Sequence, residues 1–120
     1  MITSEHLREL AADPLCIIGA HATHHVVFRT LNEKQARKSM MDSKRWIETT
    51  FCSKVDFFAF PFGRRVEVSN ANIRMLSTCD YNCGFSALNG SLKQKWFSGR
   101  WFLPRILVDD KYVAIALTKK

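Results

Sequence analysis

The chain has 120 residues, of which 47% are hydrophobic and 12% aromatic, which suits one packed domain and excludes a disordered chain. Lys and Arg number 18 against 11 Asp and Glu, giving a formal net charge of +7. The basic residues are scattered and form no run interleaved with aromatic residues, so we expect no nucleic-acid binding. Charged residues interrupt every apolar run before the roughly 18 residues that a membrane span requires, so we expect no transmembrane segment.

The N-terminus carries acidic residues where a secretory signal would carry basic residues and then an apolar stretch. The chain as written therefore predicts a cytoplasmic protein, while the compartment of any longer parent protein stays unknown. The cysteines are Cys16, Cys52, Cys79 and Cys83. They form no pair of C-x-x-C knuckles, and we expect free thiols. Cys79 and Cys83 are spaced for one helix face, and Cys16 is expected to be a small buried hydrophobe.

The first predicted elements are a helix and a strand. Thr3 or Ser4 is expected to cap the helix, and Asp13-Pro14 ends it. The apolar run at residues 15–20 is typical of a strand that is buried on both faces.

Two more helices and up to three more strands follow. Asn32 and Gln35 form a predicted capping box for a second helix. A third helix is expected to begin at Ser69 or Asn70. The predicted strands are residues 55–60, residues 83–88, and a last strand or extended edge over residues 101–104 and 106–108.

Alternating strands and helices with short connections predict a parallel sheet. Since a complete α/β barrel needs about 250 residues, we expect a partial (β/α) barrel with three to four parallel strands and flanking helices. Residues 1–120 would then form a single, truncated domain. The chain also begins with a predicted helix, whereas a βα unit begins with a strand. This order likewise indicates a truncated domain.

Histidine is concentrated just after the first predicted strand. His21, His24 and His25 lie within five residues, and residues four apart on a helical turn present their rings to the same side. His21 and His25 can therefore bind one divalent metal ion, although a catalytic zinc usually has three protein ligands. The zincin pattern is not met because Ala22 replaces its glutamate. The alternative is that these imidazoles make ordinary hydrogen bonds.

The segment Phe60-Pro61-Phe62-Gly63 follows the second predicted strand. Proline followed closely by glycine indicates a turn, and on its own this turn says little about function.

Together and in this order, the segments resemble the polysaccharide deacetylase (NodB-homology) family. Residues 18–25 resemble its histidine motif, H-[ST]-x-x-H, and residues 58–63 resemble the next motif. Residues 84–88 and 103–106 are similar to later strands of bacterial members. The resemblance covers most of residues 3–108.

The resemblance implies removal of N-acetyl, or sometimes O-acetyl, groups from a sugar polymer. It implies a divalent metal, commonly zinc, held by one aspartate and two histidines, with a second aspartate as general base. His21 and His25 match the two metal-binding histidines. Pro61 and Phe62 match the substrate-binding motif, in which the backbone N–H of Phe62 would stabilise the oxyanion. His24 matches a variable position.

The chain also departs from the family pattern. Ala22 stands where members usually have Ser or Thr, and Phe58 stands where many have the arginine that orients the base. No Asp-Asp motif precedes the histidines, and no later Leu-x-His motif follows; we interpret Asp109-Asp110 as a solvated turn. We therefore expect a deacetylase-like domain that is incomplete or inactive alone, and whether it is an enzyme stays open.

Two alternatives remain. One is a deviant enzyme that takes its metal ligands and base from unusual residues or a partner subunit. The other is a non-catalytic carbohydrate- or protein-binding module on a decayed deacetylase fold, in which Trp96, Phe97 and Trp101 would stack on sugar rings unless they pack in the core. In either case the first predicted strand has an unpaired edge, and we expect homo-oligomers to form through it.

Overall fold

A parallel sheet and three helices make up the computed structural model, which describes residues 3–92 and 99–108. The helices are α1 (Ser4–Ala12), α2 (Glu33–Phe51) and α3 (Asn70–Thr78), and a 3-10 turn covers Phe28–Thr30. The strands are β1 (Phe57–Ala59), β2 (Cys83–Asn89) and β3 (Leu103–Arg105), paired in parallel in the order β1-β2-β3. This confirms the predicted α/β class with parallel strands and flanking helices. None of the helices in this part of the chain is long and apolar enough to cross a membrane.

The helices begin where the sequence predicts. Thr3, Asn32 and Ser69 are the N-caps, and each side chain accepts a hydrogen bond from the backbone N–H three residues later. The cap removes one unsatisfied donor from each helix N-terminus, which is why Thr, Asn and Ser favour this position. Asp13 is the C-cap of α1, as the Asp13-Pro14 pair indicates.

Aromatic side chains fill the core between α2 and the sheet. Phe28 from the 3-10 turn packs edge-on against Phe58 and Phe60, with ring centroids 5.7 and 5.6 Å apart. The Tyr81 hydroxyl donates to Met40 O of α2 at 2.7 Å. Burial raises the pKa of the Tyr81 phenol, so the group stays protonated and keeps this bond.

The prediction of a buried strand at residues 15–20 is wrong. Only Ala20 pairs with the sheet, through a single parallel bridge to Phe58. Leu15 and Ile17 are 91% and 74% exposed. A strand that is buried on both faces needs neighbours on both sides and a cover on each face, and the described residues supply a neighbour on the β1 side alone.

The last predicted strand is shorter than expected. β3 ends at Arg105, and the residues at 106–108 are exposed. Its partner β2 ends at Asn89. The bond from the Gly90 N–H to Arg105 O is the backbone hydrogen bond nearest the carboxyl ends of the two segments. Beyond this point residues 106–108 have no strand to pair with among the described residues. Asp109-Asp110 lies outside the described residues.

All four cysteines are free, as predicted. Cys79 is the C-cap of α3 and Cys83 begins β2, so the prediction that they share a helix face is wrong. Burial raises the pKa of both thiols, which disfavours the reactive thiolate. Cys16 is half-buried and not enclosed in a core.

Candidate metal-binding half-site

The histidine loop, residues 21–25, begins directly after the bridge that ties the chain to β1. The Ala20 N–H donates to Phe57 O at 2.8 Å, and Ala20 O accepts from the Ala59 N–H at 2.9 Å. These two bonds fix the backbone on the N-terminal side of His21. The first histidine therefore emerges at the carboxyl end of the sheet, where functional groups of parallel sheets collect.

A tight turn, and not a helical turn, brings the two predicted ligands together. No helix covers residues 21–25, and Ala22 has a left-handed backbone with φ 67°. The ring centroids of His21 and His25 are 5.2 Å apart, with an interplanar angle of 57°. The predicted proximity of the pair is therefore observed, while the predicted helical geometry is wrong.

The hydrogen bond of His21 selects the tautomer of its neutral ring. Its Nδ1 lies 2.7 Å from Ala59 O at the end of β1. A carbonyl oxygen can only accept, so Nδ1 is the donor, and in the neutral ring Nε2 then has the free lone pair. Histidines that bind metals through Nε2 are commonly held in this way by a carbonyl at the other nitrogen. The ring of His21 is thus oriented and has its second nitrogen available.

The second histidine contacts the Pro-Phe-Gly turn. The rings of His25 and Phe62 lie 4.5 Å apart between centroids. Phe62 is 46% exposed, so its ring covers one side of the imidazole and faces solvent with its other parts. The two segments singled out in the sequence therefore meet in space.

The Pro-Phe-Gly turn is held in a strained conformation. Phe62 and Gly63 both have left-handed backbones, with φ 58° and 74°. Gly63 O accepts from the Ala87 N–H of β2 at 2.9 Å, which fixes the turn to the sheet. The backbone N–H of Phe62 has no acceptor among residues 3–92 and 99–108. Within the described residues this donor, in the turn whose Phe62 ring contacts His25, is left without a protein partner.

Two side chains that the sequence analysis missed tie the histidine loop to α2. The Thr23 N–H donates to Ser39 Oγ at 3.2 Å, and the two hydroxyl oxygens lie 3.0 Å apart. The Nδ1 of His24 lies 3.2 Å from Thr23 Oγ1, so this ring contacts its neighbour in the loop. Sixteen residues separate Thr23 from Ser39, so no local pattern could have indicated this contact.

A groove of about 430 Å³ opens beside the first histidine. It is lined by His21, Gly19, Trp46 and Ile47, among others. Trp46 is 57% exposed and stands against the ring of Phe51, with centroids 5.6 Å apart. The site thus has an apolar wall on its α2 side.

The two imidazoles are suitable metal ligands but do not complete a site. Neutral imidazole nitrogen suits zinc and neighbouring transition metals. In the part of the chain that the structure describes, no group of three or more His, Cys, Asp or Glu side chains could hold a metal ion. The described residues therefore offer two candidate ligands, which we call a half-site.

The described residues thus form a parallel α/β fold with a histidine pair at the carboxyl end of its sheet. The family model for polysaccharide deacetylases matches residues 2–83. The chain belongs to the polysaccharide deacetylase family, whose members are generally metal-dependent. No curated protein sequence matches the chain significantly.

Solved structures support the fold. Streptococcus pyogenes deacetylase PplD in complex with acetate is similar over 95% of this chain and 50% of its own, with a TM-score of 0.80 and 16% identity. IcaB from Ammonifex degensii is similar over 96% and 52%, with a TM-score of 0.76 and 20% identity. The BpsB deacetylase domain from Bordetella bronchiseptica is similar over 91% and 50%, with a TM-score of 0.70 and 15% identity. The chain spans about half the length of these structures.

Proposed function

We propose that this chain forms the part of a carbohydrate deacetylase that binds a divalent cation, most simply zinc, through His21 and His25. The observation that carries the proposal is the hydrogen bond from His21 Nδ1 to Ala59 O, 38 residues away in sequence. This bond orients the ring and makes Nε2 the nitrogen that a metal ion can bind. His25 lies beside it, with ring centroids 5.2 Å apart. Adjacent imidazoles at the end of a parallel sheet are the ligand type that zinc prefers.

The residues next to the pair suit acetyl-group chemistry. A bound divalent cation acidifies water and polarises an acetyl carbonyl. The Phe62 N–H would donate to the oxygen on which negative charge develops. Pro61, predicted to bind substrate, is fully buried and would instead hold the turn that presents this donor. His25 would be kept in place by the Phe62 ring against which it packs.

We propose that the substrate of the complete enzyme is an acetylated glycan and that the enzyme removes its N-acetyl groups. Support comes from the family, whose name specifies polysaccharide deacetylation, and from similar structures described as deacetylases. Trp46 and Ile47 give the groove beside His21 an apolar wall, and the apolar faces of sugar rings stack on exposed aromatic rings of this kind.

We further propose that this chain is incomplete as a catalyst. The half-site has two protein ligands, and a catalytic zinc site usually has three. No third His, Cys, Asp or Glu joins the pair in a metal-binding group among residues 3–92 and 99–108, so this part of the chain does not supply the third ligand. We expect weak metal binding and no turnover by the chain alone.

Zinc titration by calorimetry tests the metal proposal. We expect micromolar or weaker binding by the wild type and its loss in both His21→Ala and His25→Ala. The matched control is His6→Ala, because His6 lies on α1 and bonds only to the Thr3 cap. Equal binding by His21→Ala, or no binding by the wild type, would contradict the proposal. Nanomolar binding by the wild type would indicate further ligands and favour a deviant enzyme.

Acetate release from N-acetylglucosamine oligomers tests the catalytic statement. We expect none above the rate of the His21→Ala variant. Measurable zinc-dependent release would show that the chain is a complete enzyme.

The alternative of a non-catalytic binding module has no specific support in the described residues. Trp101 is half-buried and packs against the core, with Arg100 over its ring at 4.9 Å. Trp96 and Phe97 lie outside the described residues.

A further inference from the structure

The turn between the two histidines is strained and needs support on both sides. Ala22 has φ 67°, a conformation that costs a residue with a Cβ atom energy relative to its extended or helical states. On the N-terminal side, the bond from His21 Nδ1 to Ala59 O holds the chain to β1. Support on the C-terminal side has to come from the residues after Ala22.

Thr23 and Ser39 supply that second support. The Thr23 N–H donates to Ser39 Oγ, and the Ser39 hydroxyl can donate in return to Thr23 Oγ1, at 3.2 and 3.0 Å. Ser39 is 9% exposed and lies on the face of α2 toward the loop. A hydrogen-bonded pair of this kind fixes both the backbone and the side chain of the residue that follows Ala22.

The orientation of Ser39 sets it apart from its neighbour on the helix. Ser43, one turn later, bonds back to Met40 O of its own helix, which is the usual arrangement for a helical serine. Ser39 is directed instead at a loop 16 residues upstream.

We propose that Ser39 and Thr23 are positioning residues that hold His21 and His25 in the metal-binding arrangement. The proposal rests on the metal-binding function proposed above. Ala22 has no side-chain group that could form a hydrogen bond to hold the turn. The bonds between Thr23 and Ser39 attach the turn to α2 instead. Neither residue belongs to the proposed ligand pair, so both would act through the conformation of the loop.

Near-isosteric substitutions test the proposal. Thr23→Val removes the hydroxyl at an exposed position, and Ser39→Ala removes its partner. We expect the zinc affinity to fall about tenfold in each, as is typical when the hydrogen bonds behind metal ligands are removed. Thr23→Ser keeps the hydroxyl and should retain the wild-type affinity. We also expect faster amide hydrogen exchange at Thr23 in Ser39→Ala, because the acceptor of its N–H is gone.

Ser86→Ala is the control for a general loss of stability. Ser86 is fully buried, and its hydroxyl donates to Leu103 O of β3 at 2.9 Å, on the side of β2 opposite to β1. It should lower the melting temperature without changing zinc affinity.

The outcomes separate the two proposals. If the wild type binds zinc and Thr23→Val and Ser39→Ala bind it equally well, the positioning role is overturned while the metal site stands. Equal losses of affinity in Ser39→Ala and Ser86→Ala would also overturn it. A wild type that binds no zinc would overturn the metal site and the positioning role with it.

Discussion

At the scale of single residues, Gly63 determines the shape of the turn that carries Phe62. It has φ 74°, and a Cβ atom there would lie 2.8 Å from Ala87 N and 3.0 Å from Phe60 O. Both contacts are with backbone, which cannot move away cheaply. We expect Gly63→Ala to lower the free energy of unfolding by about 1–3 kcal/mol, measured by urea denaturation.

Gly90→Ala is the matched control for that substitution. A Cβ at Gly90 would approach the Pro104 side chain no closer than 3.4 Å, an ordinary contact. We expect a change in unfolding free energy within about 0.5 kcal/mol. If both alanine variants had the same stability, the left-handed backbone and the close approach at Gly63 would not be what constrains the turn.

The sequence predicted which residues of the candidate site come together, but not how. The spacing of His21 and His25 indicated a pair that faces one point, and the rings do adjoin. A spacing of four suits both a helical turn and the observed tight turn, and alanine at position 22 gives no sign of a left-handed backbone. The support from Ser39 depends on tertiary packing and has no local pattern at all.

At the scale of elements, Lys44 links α2 to the segments that lead into β1 and β2. It is 8% exposed, and its Nζ donates to Val55 O at 2.8 Å and to Asp80 O. Lys44→Met keeps the length of the side chain but leaves two carbonyl oxygens without their donor. We expect a loss of about 2–4 kcal/mol in unfolding free energy.

Lys38→Met serves as the control for Lys44. Lys38 lies on the same helix, its side chain is 73% exposed, and its partner is the i,i+4 residue Asp42. Exposed pairs of this kind contribute about 0–1 kcal/mol, so we expect little change in the denaturation midpoint. Equal losses of unfolding free energy in the two variants would mean that the buried bonds of Lys44 contribute no more than an exposed ion pair.

Elements with local determinants were predicted well. Each N-cap side chain accepts a hydrogen bond from the backbone N–H three residues later. Donor and acceptor are both local, so the sequence alone predicts the start of each helix. The wrong prediction of a strand at residues 15–20 has a non-local cause. An apolar run becomes a strand only where neighbours pair with it on both sides, and in the described residues Ala20 alone is paired. That condition concerns distant parts of the chain and cannot be inferred from the run itself.

At the scale of the whole molecule, no strand among residues 3–92 and 99–108 covers the side of residues 15–20 that faces away from β1. Ala20 directs both its N–H and its carbonyl toward β1. Backbone groups of adjacent strand residues point to opposite sides, so those of Gly19 and His21 face away from β1. Exposed apolar side chains flank them, with Leu15, Ile17 and Trp46 exposed by 91%, 74% and 57%. Unpaired backbone groups beside apolar surface favour pairing with another chain.

We therefore expect the isolated chain to self-associate through this edge, with a molar mass by light scattering that rises with concentration. Ile17→Lys places a charge on the edge and should shift the protein toward the monomer, because a lysine disfavours strand pairing at an exposed edge. Val66→Lys is the control: Val66 is 69% exposed but lies in the loop after β1, away from the edge. A monodisperse wild-type monomer, or equal effects of the two lysines, would show that the edge does not mediate association.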